Sequence, residues 1–139
     1  LHDIGKIAVD DGILNAPRAL TPSEYELVKK HAEFGKEIVS QIPELKDVAA
    51  WIGQHHERPD GTGYPNALPE KAIPLPSKII AVVDAYDAMT GGSNGSDERP
   101  YRAAKTPTEA LVELENCAGT QFDTRVVQEF RNLVLEGRI

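Results

Sequence analysis

A chain of 139 residues has the length of one domain, enough to bury roughly two thirds of the surface it exposes when unfolded. Its net charge of −7 excludes a broad surface for duplex nucleic acid, because such surfaces track phosphate with lysine and arginine. The single cysteine, Cys117, excludes an internal disulfide and a thiolate zinc cluster, and no apolar run approaches a membrane span or secretory leader, so a reducing, cytoplasmic setting is expected.

The chain opens on Leu1-His2-Asp3-Ile4-Gly5-Lys6. Read as a helix, this run sets an imidazole and a carboxylate about 100° apart, so both can reach one divalent cation. Lys6, one turn after His2, puts an ammonium on the same face. A lone His-Asp pair is usually a solvated surface feature. Here, however, the other three histidines, His31, His55 and His56, each stand in an apolar, helical context. The opening motif has no helix ahead of it, so residues 1–139 are expected to form one domain that lacks its N-terminal helices.

Residues 8–20 read as a loop, broken by Asp10-Asp11-Gly12 and Asn15-Ala16-Pro17. Thr21-Pro22-Ser23-Glu24 is a capping box, and it predicts a single helix to about Gln41 with Tyr25, Val28, Ala32, Gly35, Ile38, Val39 and Ile42 at helical spacing. His31 borders that stripe, and the small residues Ala32 and Gly35 beside it let another backbone approach. For His31 alone, a buried hydrogen-bonded histidine and a metal ligand both remain open. Pro43 ends the helix, and a second from near Glu44 carries Leu45, Val48, Ala49 and Ile52 toward His55-His56-Glu57. One of two adjacent histidines there must face the core. A buried imidazole needs a polar partner, and a metal supplies one.

Arg58-Pro59-Asp60-Gly61-Thr62-Gly63-Tyr64-Pro65 suits no helix. Gly61 and Gly63 permit positive φ or close approach of backbone to a ligand, and a surface turn is the alternative reading. Pro74-Leu75-Pro76 opens a helix that is apolar nearly all round, from Ile79 through Val83, and is expected to lie centrally. Asp84 and Asp87 stand one turn apart within it; cations would relieve their desolvation cost, and capping of a neighbouring helix is the other possibility. Residues 91–96 form a flexible Gly/Ser-rich loop by composition, and Arg99-Pro100-Tyr101-Arg102 offers two guanidiniums suited to phosphate or guanine edges. Thr106-Pro107-Thr108-Glu109 is a second capping box, for a helix that Gly119 closes. Asp123 caps a last helix with Val126, Val127, Phe130, Leu133 and Val134 turned inward. No segment alternates as a strand, so the class is all-α.

If His2, Asp3, His31, His55, His56 and Asp84 converge, the ligands are nitrogen and oxygen without sulfur. That set suits Fe, Mn, Ni or Zn and exceeds what one tetrahedral ion needs. Two ions sharing a carboxylate, about 3.5–4 Å apart, would clamp the oxygens of an in-line phosphoryl displacement, which is phosphoester hydrolysis. Ligating imidazoles must be neutral, so metal affinity is expected to drop below about pH 6.

Five motifs in order, His2-Asp3-Ile4-Gly5-Lys6, His55-His56-Glu57-Arg58, Asp60-Gly61-Thr62-Gly63-Tyr64-Pro65, Asp84-Ala85-Tyr86-Asp87-Ala88-Met89-Thr90 and Arg99-Pro100-Tyr101-Arg102, resemble the HD-GYP branch of the HD-domain metal-dependent phosphohydrolases. The resemblance implies an HD-domain helical bundle with an irregular GYP loop. It also implies a binuclear phosphodiesterase that hydrolyses cyclic di-GMP to pGpG and/or GMP in bacterial second-messenger signalling. Carried over by motif, His2, Asp3 and Asp84 would hold one metal, and Asp3 as bridge with His31, His55 and His56 the other, iron or manganese being favoured over nickel or zinc. Lys6 would stabilise phosphate charge or assist the leaving oxygen beside the catalytic Asp3. Gly61, Gly63, Tyr64, Arg99 and Arg102 would contact substrate, with Asp87 supporting the site.

The chain departs from the family pattern in three places. His31-Ala32-Glu33-Phe34-Gly35 stands where the family has His-Pro-x-x-Gly, and a longer Gly/Ser-rich connection joins Thr90 to Arg99. The family carries a further histidine on helices upstream of the HD pair. This segment is therefore expected to bind at least one metal and to turn over cyclic di-GMP weakly. The partners implied are cyclic di-GMP, a GGDEF-type or other signalling protein and a second copy of the chain, with no duplex nucleic acid and no membrane contact. The alternatives are a catalytically impaired HD-GYP module in regulatory or protein-interaction signalling, and an HD hydrolase of mononucleotides.

Overall fold

The computed structural model describes residues 1–91 and 104–139, and among these no strand is present. Arg99, Arg102 and most of the Gly/Ser-rich stretch lie outside the described residues. A 3-10 turn at Ile4–Ala8 leads to α1 (Asp11–Leu14), α2 (Pro22–Lys29), α3 (His31–Ser40), a 3-10 turn at Pro43–Leu45 and α4 (Lys46–Ile52). After an irregular connection come α5 (Leu75–Thr90), α6 (Pro107–Asn116) and α7 (Thr124–Leu135). The chain is all-α, as its periodicities indicate.

The helix starts follow from local chemistry. Thr21 and Thr106 each accept the N3 backbone N–H, while Glu24 and Glu109 reach back to the cap N–H, and a proline opens each first turn. Asp123 accepts from the N–H groups of Arg125 and Val126 and so starts α7.

Three boundaries differ from the sequence-based expectation. The single helix expected from Thr21 is broken at Lys30, whose N–H reaches back only three residues to the Leu27 carbonyl at 3.2 Å. The His31 ring supplies the reason: its Nδ1–H donates to the Val28 carbonyl at 2.7 Å and competes for the last acceptors of α2. Residues 8–20 contain the single turn α1, because the Asp10 carboxylate accepts from Gly12 N–H at 2.8 Å and acts as a cap. And α6 ends at Asn116, so Gly119, at φ +80°, belongs to the turn beyond it.

Two apolar clusters hold the helices together. Val82 of α5 packs with Leu111 and Leu114 of α6 and with Phe122, Val126, Val127 and Phe130. Val39 of α3 packs with Ala49 and Ile52 of α4, and Ile80 of α5 closes over them. α5 therefore joins both clusters, yet it is not buried all round. Leu75, Ile79 and Val83, four residues apart and hence on one face, are 60, 44 and 44 % exposed. Tyr25 of α2 is exposed as well, and so are Ile38 and Ile42, because α3 turns its small face, Ala32, Gly35 and Val39, inward.

That small face receives the opening 3-10 turn. A Cβ built on Gly5 would lie 1.9 Å from the His31 carbonyl oxygen and 2.4 Å from Gly35 N, so only glycine lets the two backbones meet. A second tether fixes α5: the Ser77 hydroxyl donates to the Trp51 carbonyl of α4 at 2.9 Å. Together these contacts bring residues 2–3, 31, 55–56 and 84 to one end of the bundle.

Gly5→Ala should unfold or displace the opening turn, with a cost of about 2 kcal/mol or more in denaturant titration. Gly35→Ala is the contrast, since its Cβ would meet nothing nearer than 3.4 Å and a helical alanine is favoured by roughly 0.5–1 kcal/mol. Equal effects of the two substitutions would refute this packing account.

Candidate metal centre

The structure brings the six expected ligands together in two adjoining groups. In one, the ligand atoms of His2, Asp3 and Asp84 lie within 4.8 Å of one another; in the other, those of His31, His55 and His56 do. His2 Nε2 stands 3.1 Å from Asp84 Oδ1 and 3.5 Å from Asp3 Oδ2. The other oxygen of Asp3 is 3.6 Å from His31 Nε2, so a single carboxylate faces both groups. His31 Nε2 and His56 Nε2 are 3.2 Å apart, and the His55 ring lies against those of His2, His31 and His56.

His2 and Asp3 precede the 3-10 turn and do not lie on an α-helix. With about three residues per turn, Lys6 falls beside Asp3 and not beside His2, and its ammonium sits 2.7 Å from Asp3 Oδ2. His55 and His56 follow the end of α4 in a tight turn.

The imidazole tautomers are set by backbone. His31 Nδ1–H donates to the Val28 carbonyl and His55 Nδ1–H to that of Ile52, three residues back in each case. Each Nε2 is thereby left as a lone pair aimed at the site, the usual arrangement of a ligating histidine and its supporting hydrogen bond. His55 Nε2 is buried without a hydrogen-bond partner, a costly state for a lone imidazole and the natural one for a metal ligand. The nitrogen-oxygen donor set and this orphaned atom both fit a divalent cation.

The electrostatics divide the site. Burial, reinforced by the neighbouring imidazoles, lowers His55 to about 4 and His56 to about 3, so both are neutral at physiological pH. Asp3 and Asp84 raise His2 to about 9. Burial pushes both carboxyls up, but His2, joined at Asp3 by Lys6, outweighs it and holds them below the ordinary range. A metal entering the His2 group must therefore displace a proton, whereas His55 and His56 stand ready.

A cavity of about 570 Å³ opens above these groups, within the range of ligand pockets. Lys6, Gly63 and Tyr64 line it; the Tyr64 ring stacks on His56 with centroids 4.7 Å apart, and burial raises its hydroxyl above the ordinary phenol range. Gly61, at φ +76°, and the exposed Asp87 lie outside the lining.

A family profile described as an HD domain matches residues 1–126. The chain belongs to the HD-domain family. Its relatives include a cyclic di-GMP phosphodiesterase of Thermotoga maritima, 42 % identical over 98 % of this chain and 36 % of the relative. A second is the cyclic di-GMP phosphodiesterase response regulator RpfG of Xanthomonas campestris pv. campestris, 41 % identical over 99 % of this chain and 34 % of the relative. A third is a 3'3'-cGAMP-specific phosphodiesterase of Vibrio cholerae, 39 % identical over 88 % of this chain and 25 % of the relative. The HD domain thus spans about a third or less of the lengths of these relatives.

Sequence reasoning missed several residues of the HD domain's cavity. Lys29 of α2 places its ammonium 5.1 Å from the Tyr25 ring centre and 5.4 Å from that of Tyr64. The i, i+4 spacing of Tyr25 and Lys29 behind the capping box was the available signal. Gln121 and Phe122 enter from the turn before α7, and nothing local in the sequence points to them. Glu57, read only as part of a motif, is buried against the neighbouring loop.

Protonation makes the metal-free HD domain sensitive to pH on both sides. His2, raised to about 9, contributes stability that is complete below the ordinary 6.5 and lost as pH rises through 9. His55 and His56, lowered to about 4 and 3, contribute stability that is complete above 6.5 and lost as pH falls. The chelator-stripped chain should melt highest near pH 6.5. It should lose on the order of 5 °C or more by pH 4, with a shallower alkaline limb because His2 is partly solvated. The same burial carries the acid loss of metal from His55 and His56 below the pH 6 expected for ordinary imidazoles. A flat melting profile from pH 4 to 9 would refute the assignment of charges.

Proposed function

We propose that this chain is the catalytic domain of a metal-dependent phosphodiesterase that hydrolyses cyclic di-GMP to pGpG and/or GMP. The observation that carries this reading is the placement of Asp3, one oxygen toward His2 and Lys6 and the other toward His31, between two groups of metal-ligating character. His31, His55 and His56 with Asp3 would hold one cation, and His2, Asp3 and Asp84 a second, iron or manganese in preference to nickel or zinc. When bound, the cations supply Lewis-acid polarisation of the phosphodiester and a water activated at neutral pH.

The chain's own residues do the remainder. His55 and His56 enter the site already neutral, and the His55 Nδ1–H bond to the Ile52 carbonyl keeps its Nε2 aimed inward. Lys6, held by Asp3, stands where a phosphate approaching that carboxylate would meet an ammonium, and it stabilises the charge that builds on the transferred group. Tyr64, flat against His56, offers a ring on which a base can stack. Arg99 and Arg102 remain candidates for the second phosphate or a guanine edge on the strength of the motif resemblance. A cytoplasmic setting, a GGDEF-type signalling partner and a homodimer complete the proposal; no helix among the described residues is long and apolar enough to cross a membrane.

A second substrate follows from the relatives. Those of Vibrio cholerae named for 3'3'-cGAMP are 36–39 % identical to this chain, close to the figure for those named for cyclic di-GMP. The two messengers share the cyclic phosphodiester ring and differ in one base.

The test is metal content with product formation from both dinucleotides, using manganese or ferrous iron under reducing conditions. Metal-dependent cleavage of cyclic di-GMP is expected, with a loss of roughly a hundredfold or more in Asp3→Asn. His55→Ala should drop bound metal by about one equivalent. No metal-dependent cleavage of cyclic di-GMP, or unchanged metal in His55→Ala, would overturn the proposal; preferential cleavage of 3'3'-cGAMP would move it to that substrate.

A further inference from the structure

Glu57 is a carboxylate buried to 3 % exposure, immediately after His56, and no cation accompanies it among its hydrogen bonds. Its two oxygens instead accept backbone donors from the far side of the next loop: Oε1 from Asn66 N–H at 2.7 Å and Oε2 from Leu68 N–H at 2.8 Å. Between those donors Ala67 has φ +50°, the left-handed region that a residue with a Cβ rarely adopts. Two N–H groups converging on an anion around a left-handed residue form a backbone anion nest, and the carboxylate offsets the strain of forming it.

The rest of the loop is folded onto the same spot. Tyr64 N–H donates to the His56 carbonyl at 3.2 Å, and Asp60 N–H to the Thr120 carbonyl at 3.1 Å. A Cβ on Gly63 would lie 2.3 Å from Arg58 N and 2.6 Å from both Glu57 Cα and the His56 oxygen, so this glycine serves close packing of the loop on its own root. Tyr64, between the root and the nest, is what the fold-back delivers to the cavity.

We infer that Glu57 is a positioning residue, which closes the loop of residues 58–68 through the nest at Asn66 and Leu68 and so holds Tyr64 stacked on His56 for the base of a cyclic dinucleotide. This rests on the substrate reading above, but the clamp itself does not. Both carboxylate oxygens are taken up by the loop's backbone donors and Glu57 stands in neither group of candidate ligands, so its effect falls on substrate affinity rather than on the chemical step.

Glu57→Gln is the direct test, because an amide keeps one acceptor and turns a donor toward the other N–H. The expected result is a KM for cyclic di-GMP raised roughly tenfold or more, kcat within about threefold of native, unchanged metal content, and faster hydrogen exchange at the Asn66 and Leu68 amides. Ala67→Val, at an exposed position remote from the ligands, should raise KM in the same direction by disfavouring the left-handed backbone, and Ala67→Gly should leave it native. KM unchanged in both Glu57→Gln and Ala67→Val, retained amide protection in Glu57→Gln, or a fall in metal content in step with activity would each overturn the inference. If the native chain leaves cyclic di-GMP intact, the substrate reading falls, and amide exchange in the native and Glu57→Gln chains still decides whether the clamp exists.

Discussion

The contact of the Gly5 backbone with the His31 carbonyl is the constraint from which the site follows. It is a contact only a residue without Cβ can make, and it sets the 3-10 turn directly on the small face of α3. Asp3, two residues earlier, is thereby carried between His2 and Lys6 on its own turn and His31 on α3. Were the two elements separated by even a methyl group, the carboxylate could face one group or the other. The glycine of the opening motif is thus a packing residue whose consequence is electrostatic.

Given that placement, the two groups resolve the burial of polar side chains in opposite ways. The carboxylates of Asp3 and Asp84 are compensated by the proton on His2 and by Lys6, an internal cation supply that leaves the metal-free fold satisfied. The histidine group has no such supply. His55 and His56 are kept neutral by burial, and the inward nitrogen of His55 has no partner. Unpaired buried imidazole nitrogens are expensive, and His31 Nε2 and His56 Nε2, 3.2 Å apart, satisfy each other only when His56 carries its proton on Nε2, a hydrogen bond that leaves His55 Nε2 still without a partner. A cation is the one neighbour that answers all of these nitrogens at once. The histidine group is therefore the more demanding of the two.

What could be read without coordinates was what short-range chemistry dictates. The two capping boxes, the Asp123 cap and the inward face of α7 depend on residues within one turn, and each stands where the sequence places it. The six candidate ligands were legible as residue types in apolar surroundings, although their distances were not. The break at Lys30 escaped because a side chain at His31 competes with the backbone, an event that periodicity does not encode. The exposure of Leu75, Ile79 and Val83 escaped because composition says how apolar a helix is and not how many neighbours surround it. Lys6 was placed beside His2 by assuming 3.6 residues per turn, and the 3-10 geometry moved it to Asp3.

Glu57 escaped for a related reason, and its position joins the two layers of the site. Its neighbour in the chain, His56, contributes to the polar floor, while its carboxylate holds the loop that brings Tyr64 over that floor. Because His56 and Glu57 are consecutive, their side chains diverge from one short piece of backbone, so floor and loop share a common origin and keep a fixed relation. A clamp built from distant residues would need further packing to achieve the same registry. The sequence showed a polar residue after two histidines; only the backbone donors of residues 66 and 68, with the left-handed Ala67 between them, show that this carboxylate is bound to the loop.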